Sequence, residues 1–231
     1  VATRPLVQVL AEDSDLAETV PESRRSAAVA ACRVPLIAAR AGLWNAPTEA
    51  PAGYLGFLVL DGICLRAFEL GQRRGVTLLG PGDLIKPWSR QALWNDGERA
   101  EWRFLTPVRL ALLDRSFTTQ LSTFPELGVE LIDRVLQRNR ELVFNMAIAS
   151  HTRVDTRLHL MLWQMASKWG RMRPDGVLLP VKLTHAVLSE LVASRRPTIT
   201  TALAELSKRG LVQRVEQGWL LLGDAPIDLL N

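Results

Sequence analysis

Two cysteines (Cys32 and Cys64), one tyrosine (Tyr54) and three histidines in 231 residues set the first limits. Two thiols are too few for a disulfide framework or a four-thiolate metal site. Reduced cysteines in a cytoplasmic chain are therefore expected, and the apolar neighbours Val34 and Ile63 point to ordinary burial rather than a redox switch. No histidine precedes His151, which removes a clustered-histidine metal site from the first two thirds of the chain. No apolar run approaches the roughly 18 to 20 residues of a bilayer-spanning helix, and residues 1–10 are not a basic segment leading into an apolar core. Membrane insertion and secretion are not expected. Gly-x-Ser-x-Gly, P-loop and dinucleotide fingerprints are absent, so neither an enzyme nor a cofactor is expected.

Net charge is also scarce: 28 basic against 24 acidic residues leave +4. Its distribution is uneven. Residues 151–231 hold eleven basic and seven acidic side chains, and the remainder is balanced at seventeen of each. The whole excess sits in the C-terminal third, which points to an anionic partner for that part. With 48% hydrophobic and 23% charged residues, disorder and collagen-like repetition are excluded.

Residues 1 to about 122 alternate short apolar segments with Gly and Pro. Tyr54–Leu60, Ile63–Phe68, Val76–Leu79, Trp102–Leu105 and Val108–Leu113 are strand-length, and Asp61-Gly62, Gly71 to Gly75, Gly80-Pro81-Gly82 and Asn95-Asp96-Gly97 carry turn chemistry. A β-sandwich or barrel is expected, preceded by short helices over Asp15–Glu18 and Ser23–Ala31.

After Pro125 and Gly128 no Gly or Pro occurs until Gly170. In this stretch Ile132, Val135, Asn139, Leu142, Met146 and Ala149 follow a 3,4 spacing, the seam of a heptad. Asn139 is its one polar member, and an Asn at such a position pairs best with its own copy, which predicts a homodimer. Leu127, Leu131, Val143 and Ala147 lie on another face and are expected to pack on the β domain. A second helix over Val154–Trp169, a strand over Val177–Val181, helices over Thr184–Val192 and Pro197–Arg209, and strands over Leu211–Arg214 and Trp219–Leu222 follow. This order predicts a helix-turn-helix with a two-stranded wing.

Within it, Thr184 can cap the first helix, and Ala193 suits the tight turn. Ile199, Leu203 and Leu206 bury the inner face of the second helix, leaving Arg196, Thr200 and Thr201 outward near its N-terminus. Pro197 is tolerated in a first turn. Residues 194–214 hold five basic side chains and one acidic one, Glu205, which favours phosphate contact over a winged helix serving only as a protein-interaction module.

These segments together resemble the Crp/Fnr family of bacterial transcription regulators over nearly the whole chain. The resemblance implies an α+β fold with an N-terminal β-roll of the jelly-roll type (residues 1–122), a long dimerisation helix (123–152) and a C-terminal winged helix-turn-helix (153–231). It implies double-stranded DNA, a second copy of the chain and RNA polymerase as partners. The DNA-binding residues it marks are Thr184, Arg195, Arg196, Pro197, Thr198, Thr200, Thr201 and Lys208. Arg196 matches the family arginine that reads a guanine. Pro197 and Thr201 stand where the family has Glu and Arg, so the usual operator sequence does not carry over.

Gly80-Pro81-Gly82-Asp83 resembles the turn into the family's phosphate-binding cassette, but Lys86-Pro87-Trp88 replaces its Gly-Glu-Leu. Arg99 matches the phosphate-binding arginine. Leu142 and Val143 occupy the positions of the adenine-recognising Thr and Ser. Losing such charge-assisted hydrogen bonds, each worth about 1.5 to 3 kcal/mol, disfavours cyclic AMP. Lys86, Trp88, Arg99, Leu142 and Val143 line the implied effector pocket, which is either unfilled or takes an unidentified small molecule. Trp88, Trp94 and Trp102 read as an aromatic pocket for an apolar or planar ligand, or as core. The family's four-thiolate iron–sulfur and haem sensors lack their ligands here.

Overall fold

The computed structural model describes residues 5–49, 52–70, 73–88 and 100–226. The elements in order are β1 (Leu6–Gln8), α1 (Val9–Glu12), α2 (Ser14–Glu18), α3 (Glu22–Ala31), β2 (Arg33–Ala39), β3 (Gly42–Leu43), β4 (Gly56–Asp61), β5 (Cys64–Leu70), β6 (Arg73–Leu79), β7 (Leu84–Ile85), β8 (Glu101–Phe104), β9 (Val108–Leu113), α4 (Arg115–Gln120) and α5 (Pro125–Ser150). They continue with α6 (Val154–Trp169), β10 (Arg171–Arg173), β11 (Gly176–Leu179), α7 (His185–Leu191), α8 (Arg196–Lys208), β12 (Val212–Val215) and β13 (Gly218–Leu221). Contacts divide the chain into two compact units. One is Val1–Gln72 with Thr77–Arg140, and the other is Arg73–Val76 with Glu141–Asn231, so the boundary falls inside α5.

In the first unit a five-stranded sheet runs β1-β2-β9-β4-β7 and a four-stranded sheet runs β3-β8-β5-β6. β1 with β2, β2 with β9, β9 with β4, β4 with β7, β3 with β8 and β8 with β5 pair antiparallel, as a roll of the jelly-roll class requires. The Asp61-Gly62 joint needs its glycine: Gly62 has φ of 88°, and a β carbon there would lie 2.2 Å from the Pro107 carbonyl. The Gly80 to Asp83 turn is closed by the buried Asp83 carboxylate, which accepts from the Gly80 N–H at 2.8 Å.

Two apolar cores form among the described residues of this unit. One gathers Leu58, Ala111 and Leu113 with α1 to α4 and with Phe124, Leu127 and Leu131. The other gathers Phe57, Val59, Cys64, Trp102, Phe104 and Leu110, with Trp44 and Trp88 packed against it. Asp13 both caps α2, through the Leu16 N–H at 2.9 Å, and holds the Arg134 guanidinium at 2.5 and 3.0 Å, fixing the first half of α5. Leu127 and Leu131 are buried as expected, whereas Val143 and Ala147 are exposed.

Both cysteines are buried and free, and burial pushes the Cys32 thiol up to about 11 and the Cys64 thiol up to about 12. In the second unit the sheet runs β10-β11-β13-β12. Its core is drawn from Leu158, Met161, Leu162 and Met165 of α6, Val187 and Leu188 of α7, Ile199, Leu203 and Leu206 of α8, and Trp219 and Leu221 of β13. Among the described residues no helix is long and apolar enough to cross a membrane, and no group of His, Cys, Asp and Glu could hold a metal ion.

Candidate nucleic-acid interface

The reading head begins with a capped helix. Thr184 takes extended backbone geometry, and its hydroxyl accepts from the Val187 N–H at 3.2 Å, satisfying one of the free donors at the start of α7. Ala193 then adopts φ of 47° in the turn to α8. A larger or β-branched side chain is strained in that left-handed region, and a methyl is the least side chain that tolerates it. The Ser194 N–H donates to the Ser189 carbonyl at 2.9 Å and closes the turn.

α8 buries Ile199, Ala202, Leu203 and Leu206 on one side. Arg195, Arg196, Pro197, Thr198, Thr200, Thr201 and Lys208 are all exposed, as is Thr184. No side chain caps α8, and Pro197 occupies its first turn. Its leading N–H groups, with the positive end of the helix dipole and two arginines beside them, form an electropositive terminus suited to an anion.

Two contacts bind this terminus to its surroundings. His185 Nδ1 lies 3.0 Å from Thr200 Oγ1, joining α7 to α8. The Thr200 hydroxyl also donates to the Arg196 carbonyl at 3.2 Å, and the Thr201 hydroxyl to the Pro197 carbonyl at 3.3 Å. Thr200 is exposed, and its hydroxyl takes part in both of these contacts. Thr201 keeps its methyl and remaining lone pairs at the surface.

The basic side chains divide by environment. Arg209 approaches Asp155 at 3.7 Å, and Arg153 holds the same carboxylate through two bonds of 3.1 and 2.8 Å. The bonds from Arg153 hold the Asp155 carboxyl below its ordinary range. Arg214 stands opposite Trp219 in the wing, with its guanidinium 5.9 Å from the ring centroid. Behind α8, Trp163 Nε1 donates to His159 Nε2 at 3.0 Å on α6.

The Crp-like helix-turn-helix family model matches residues 156–225, which spans α6 through the wing. The CRP-like cAMP-activated global transcriptional regulator of Mycobacterium tuberculosis is 27% identical over 157 residues, 67% of this chain and 68% of that protein. Residues 156–225 are thus similar to a Crp-like helix-turn-helix domain, and the chain is similar to CRP-like transcriptional regulators. A second relative, the global nitrogen regulator of Synechococcus elongatus, is 27% identical over 169 residues, 70% of this chain and 74% of its own length. The fold is similar to that of a solved structure along the whole chain: a mutant of CooA from Carboxydothermus hydrogenoformans aligns with 100% of this chain and 95% of its own at a TM-score of 0.63, with 19% identity. The relatives are transcription regulators, not enzymes.

The positions that a Crp/Fnr effector pocket would use are placed as follows. Lys86 is exposed, and Trp88 is half-buried with its ring 5.3 Å from that of Phe57. Trp102 is 5% exposed and Trp44 stacks at 5.1 Å on Phe104, so these aromatics fill core. Arg99 and Trp94 lie outside the described residues. Leu142 and Val143 belong to the second unit, Leu142 half-buried and Val143 67% exposed. Along α5, Ile132, Val135, Asn139, Met146 and Ala149 are exposed, and so are Val129, Leu136 and Val143.

Proposed function

We propose that this Crp/Fnr regulator works in the cytoplasm as a homodimer, with a roll of residues 1–122, a dimerisation helix of 123–152 and a winged DNA reader of 153–231. Each dimer places two copies of α8 in successive major grooves about 34 Å apart and prefers an imperfect palindrome. Arg196 reads a base edge, while Arg195, Thr198, Lys208 and the free N–H groups of α8 contact phosphate. The observation that carries this reading is the exposed, uncapped, doubly basic N-terminus of α8 that follows the capped helix α7. RNA polymerase as a partner of the bound dimer belongs to the same reading.

For the dimer, support comes from the run of exposed apolar side chains on α5. Ile132 is 62% and Met146 72% exposed, an area that water covers at a cost in a lone chain. For the effector, the M. tuberculosis relative is named as cAMP-activated. Here Lys86, Pro87 and Trp88 replace the ribose-binding segment, which speaks against that ligand and for a degenerate pocket.

Selection of bound DNA from a random pool, with and without cell metabolites, tests the reading. A two-fold-related pair of half-sites is expected, with affinity falling steeply as salt rises. Binding that ignores both sequence and salt would favour a protein-interaction module. Enrichment that changes with metabolites would identify a sensor in use.

A further inference from the structure

His185 is held against the face of α8 that Arg196 and Thr200 share, since residues four apart on a helix stand one above the other. Its Nδ1 lies 3.0 Å from Thr200 Oγ1, and the Thr200 hydroxyl gives its own proton to the Arg196 carbonyl at 3.2 Å. Nδ1–H is therefore the donor and the Thr200 oxygen the acceptor. That bond persists whether the ring is neutral or charged. The one position left to take a proton is Nε2, and protonating it adds a charge without breaking the link between α7 and α8.

The ring is half-buried, and among the described residues Nε2 has no partner. The packing names the charges around it. α7 carries Glu190 alone, which approaches Arg74 of β6 at 3.7 Å, and Lys182 precedes the helix. α8, which packs on α7, carries Arg196, Glu205 and Lys208 and follows Arg195. Of these, Arg196 lies one turn before Thr200 on the same face, and Glu205 lies more than a turn beyond it. No carboxylate pairs with the imidazole among the described residues, so the anion that answers a charge on Nε2 comes from outside the chain.

We propose that His185 is a proton-linked phosphate contact: as the head meets DNA, Nε2 takes up a proton from the buffer and donates to a backbone phosphate oxygen beside the base edge that Arg196 reads. This rests on the reading of α8 as the DNA-facing helix and adds to it a contact governed by pH. A neutral Nε2 presents a lone pair, which repels phosphate, whereas Nε2–H makes a charge-assisted bond to the phosphodiester anion. An imidazole is the side chain that ordinarily changes charge between about pH 5 and about pH 8, so operator affinity follows pH across that range.

Fluorescence anisotropy of the full chain on its selected operator, at constant ionic strength from about pH 8.5 to about pH 6, tests it. Affinity is expected to rise about tenfold as pH falls. Over the same range the slope of log affinity against log salt is expected to steepen by about 0.9 per protomer, for one further phosphate neutralised. At about pH 8.5 this contact is absent and only the link to Thr200 remains. His185→Gln, which does not titrate, is expected to give a level profile and an unchanged salt slope, although His151 and His159 are still present. Should that variant not fold, His185→Lys, charged throughout, is expected to bind at the upper pH as tightly as the wild type does at the lower. The proposal is overturned if wild-type affinity is level over this range, or if the rise persists in His185→Gln or His185→Lys. A chain that binds no DNA at any pH overturns the reading of the head as well, whereas one that binds DNA equally throughout overturns this proposal alone.

Discussion

His185 Nδ1 and Thr200 Oγ1 are 3.0 Å apart and link the two helices of the reading head. Because the Thr200 hydroxyl donates to the Arg196 carbonyl at 3.2 Å, its oxygen is free to accept from His185 Nδ1–H. The pair thus fixes the angle at which α8 leaves the turn. His185→Ala and Thr200→Val should each weaken DNA binding by about 0.5 to 1.5 kcal/mol, and the double variant should lose no more than either alone. Fluorescence anisotropy on the selected operator measures the cycle. Fully additive losses would mean that the two residues act separately.

Arg196 lies at the first position of α8, exposed and with no carboxylate pairing to it among the described residues. Arg196→Ala should cost about 1 to 3 kcal/mol and relax preference at one base position in each half-site. Competition among single-base operator variants measures this. An equal loss on every sequence would reassign Arg196 to phosphate.

The strands, the long helix and the order of the winged head were legible in the sequence because period and turn chemistry agreed there. β2 was not, since Pro35 interrupts it. The structure tolerates this proline because β2 pairs with β1 along Arg33 to Pro35 and with β9 only from Leu36 onward, so Pro35 lies where one side carries no ladder partner. β1, β3 and β7 are two or three residues long and have no period to read. Counting charges placed five cations on the head, but Arg209 is partly neutralised by Asp155, more than fifty residues earlier in the chain. On α5, a 3,4 spacing allowed two neighbouring seams, and only exposure shows that Val143 belongs outside.

His159 is 5% exposed and accepts a hydrogen bond from the Trp163 indole, so it folds as the neutral ring. Burial lowers its pKa from 6.5, the Arg209 charge adds to this, and Asp155 opposes it. Above about pH 7.5, a unit beyond the unfolded value, neither folded nor unfolded chain binds a proton here, and stability is independent of this group. As pH falls through the unfolded value the unfolded chain takes up a proton that the folded one refuses, so stability declines until the lowered folded pKa is reached. Melting temperature should therefore drop between about pH 7.5 and about pH 5.5, and His159→Gln should flatten that drop. Parallel curves for the two proteins would show that other groups govern the decline.

Ile132, Asn139 and Met146 repeat every seven residues along the exposed face of α5 and are shared by two possible seams. One adds Val135, Leu142 and Ala149, and the other adds Val129, Leu136 and Val143. Placing lysine at a shared position should break either seam, because burying a large apolar side chain is worth about 1.5 to 3 kcal/mol and a buried unpaired ammonium costs more. Met146→Lys should raise the dimer dissociation constant at least tenfold to a hundredfold. Sedimentation of the wild type at twice the 25.7 kDa chain mass, and of the variant at a falling average mass on dilution, checks this. The register is decided by a second pair of variants. If the seam runs through Val143, Val143→Lys dissociates the dimer and Ala149→Lys leaves it intact; if it runs through Leu142 and Ala149, the order reverses. A dimer that survives all three substitutions would remove α5 from the interface.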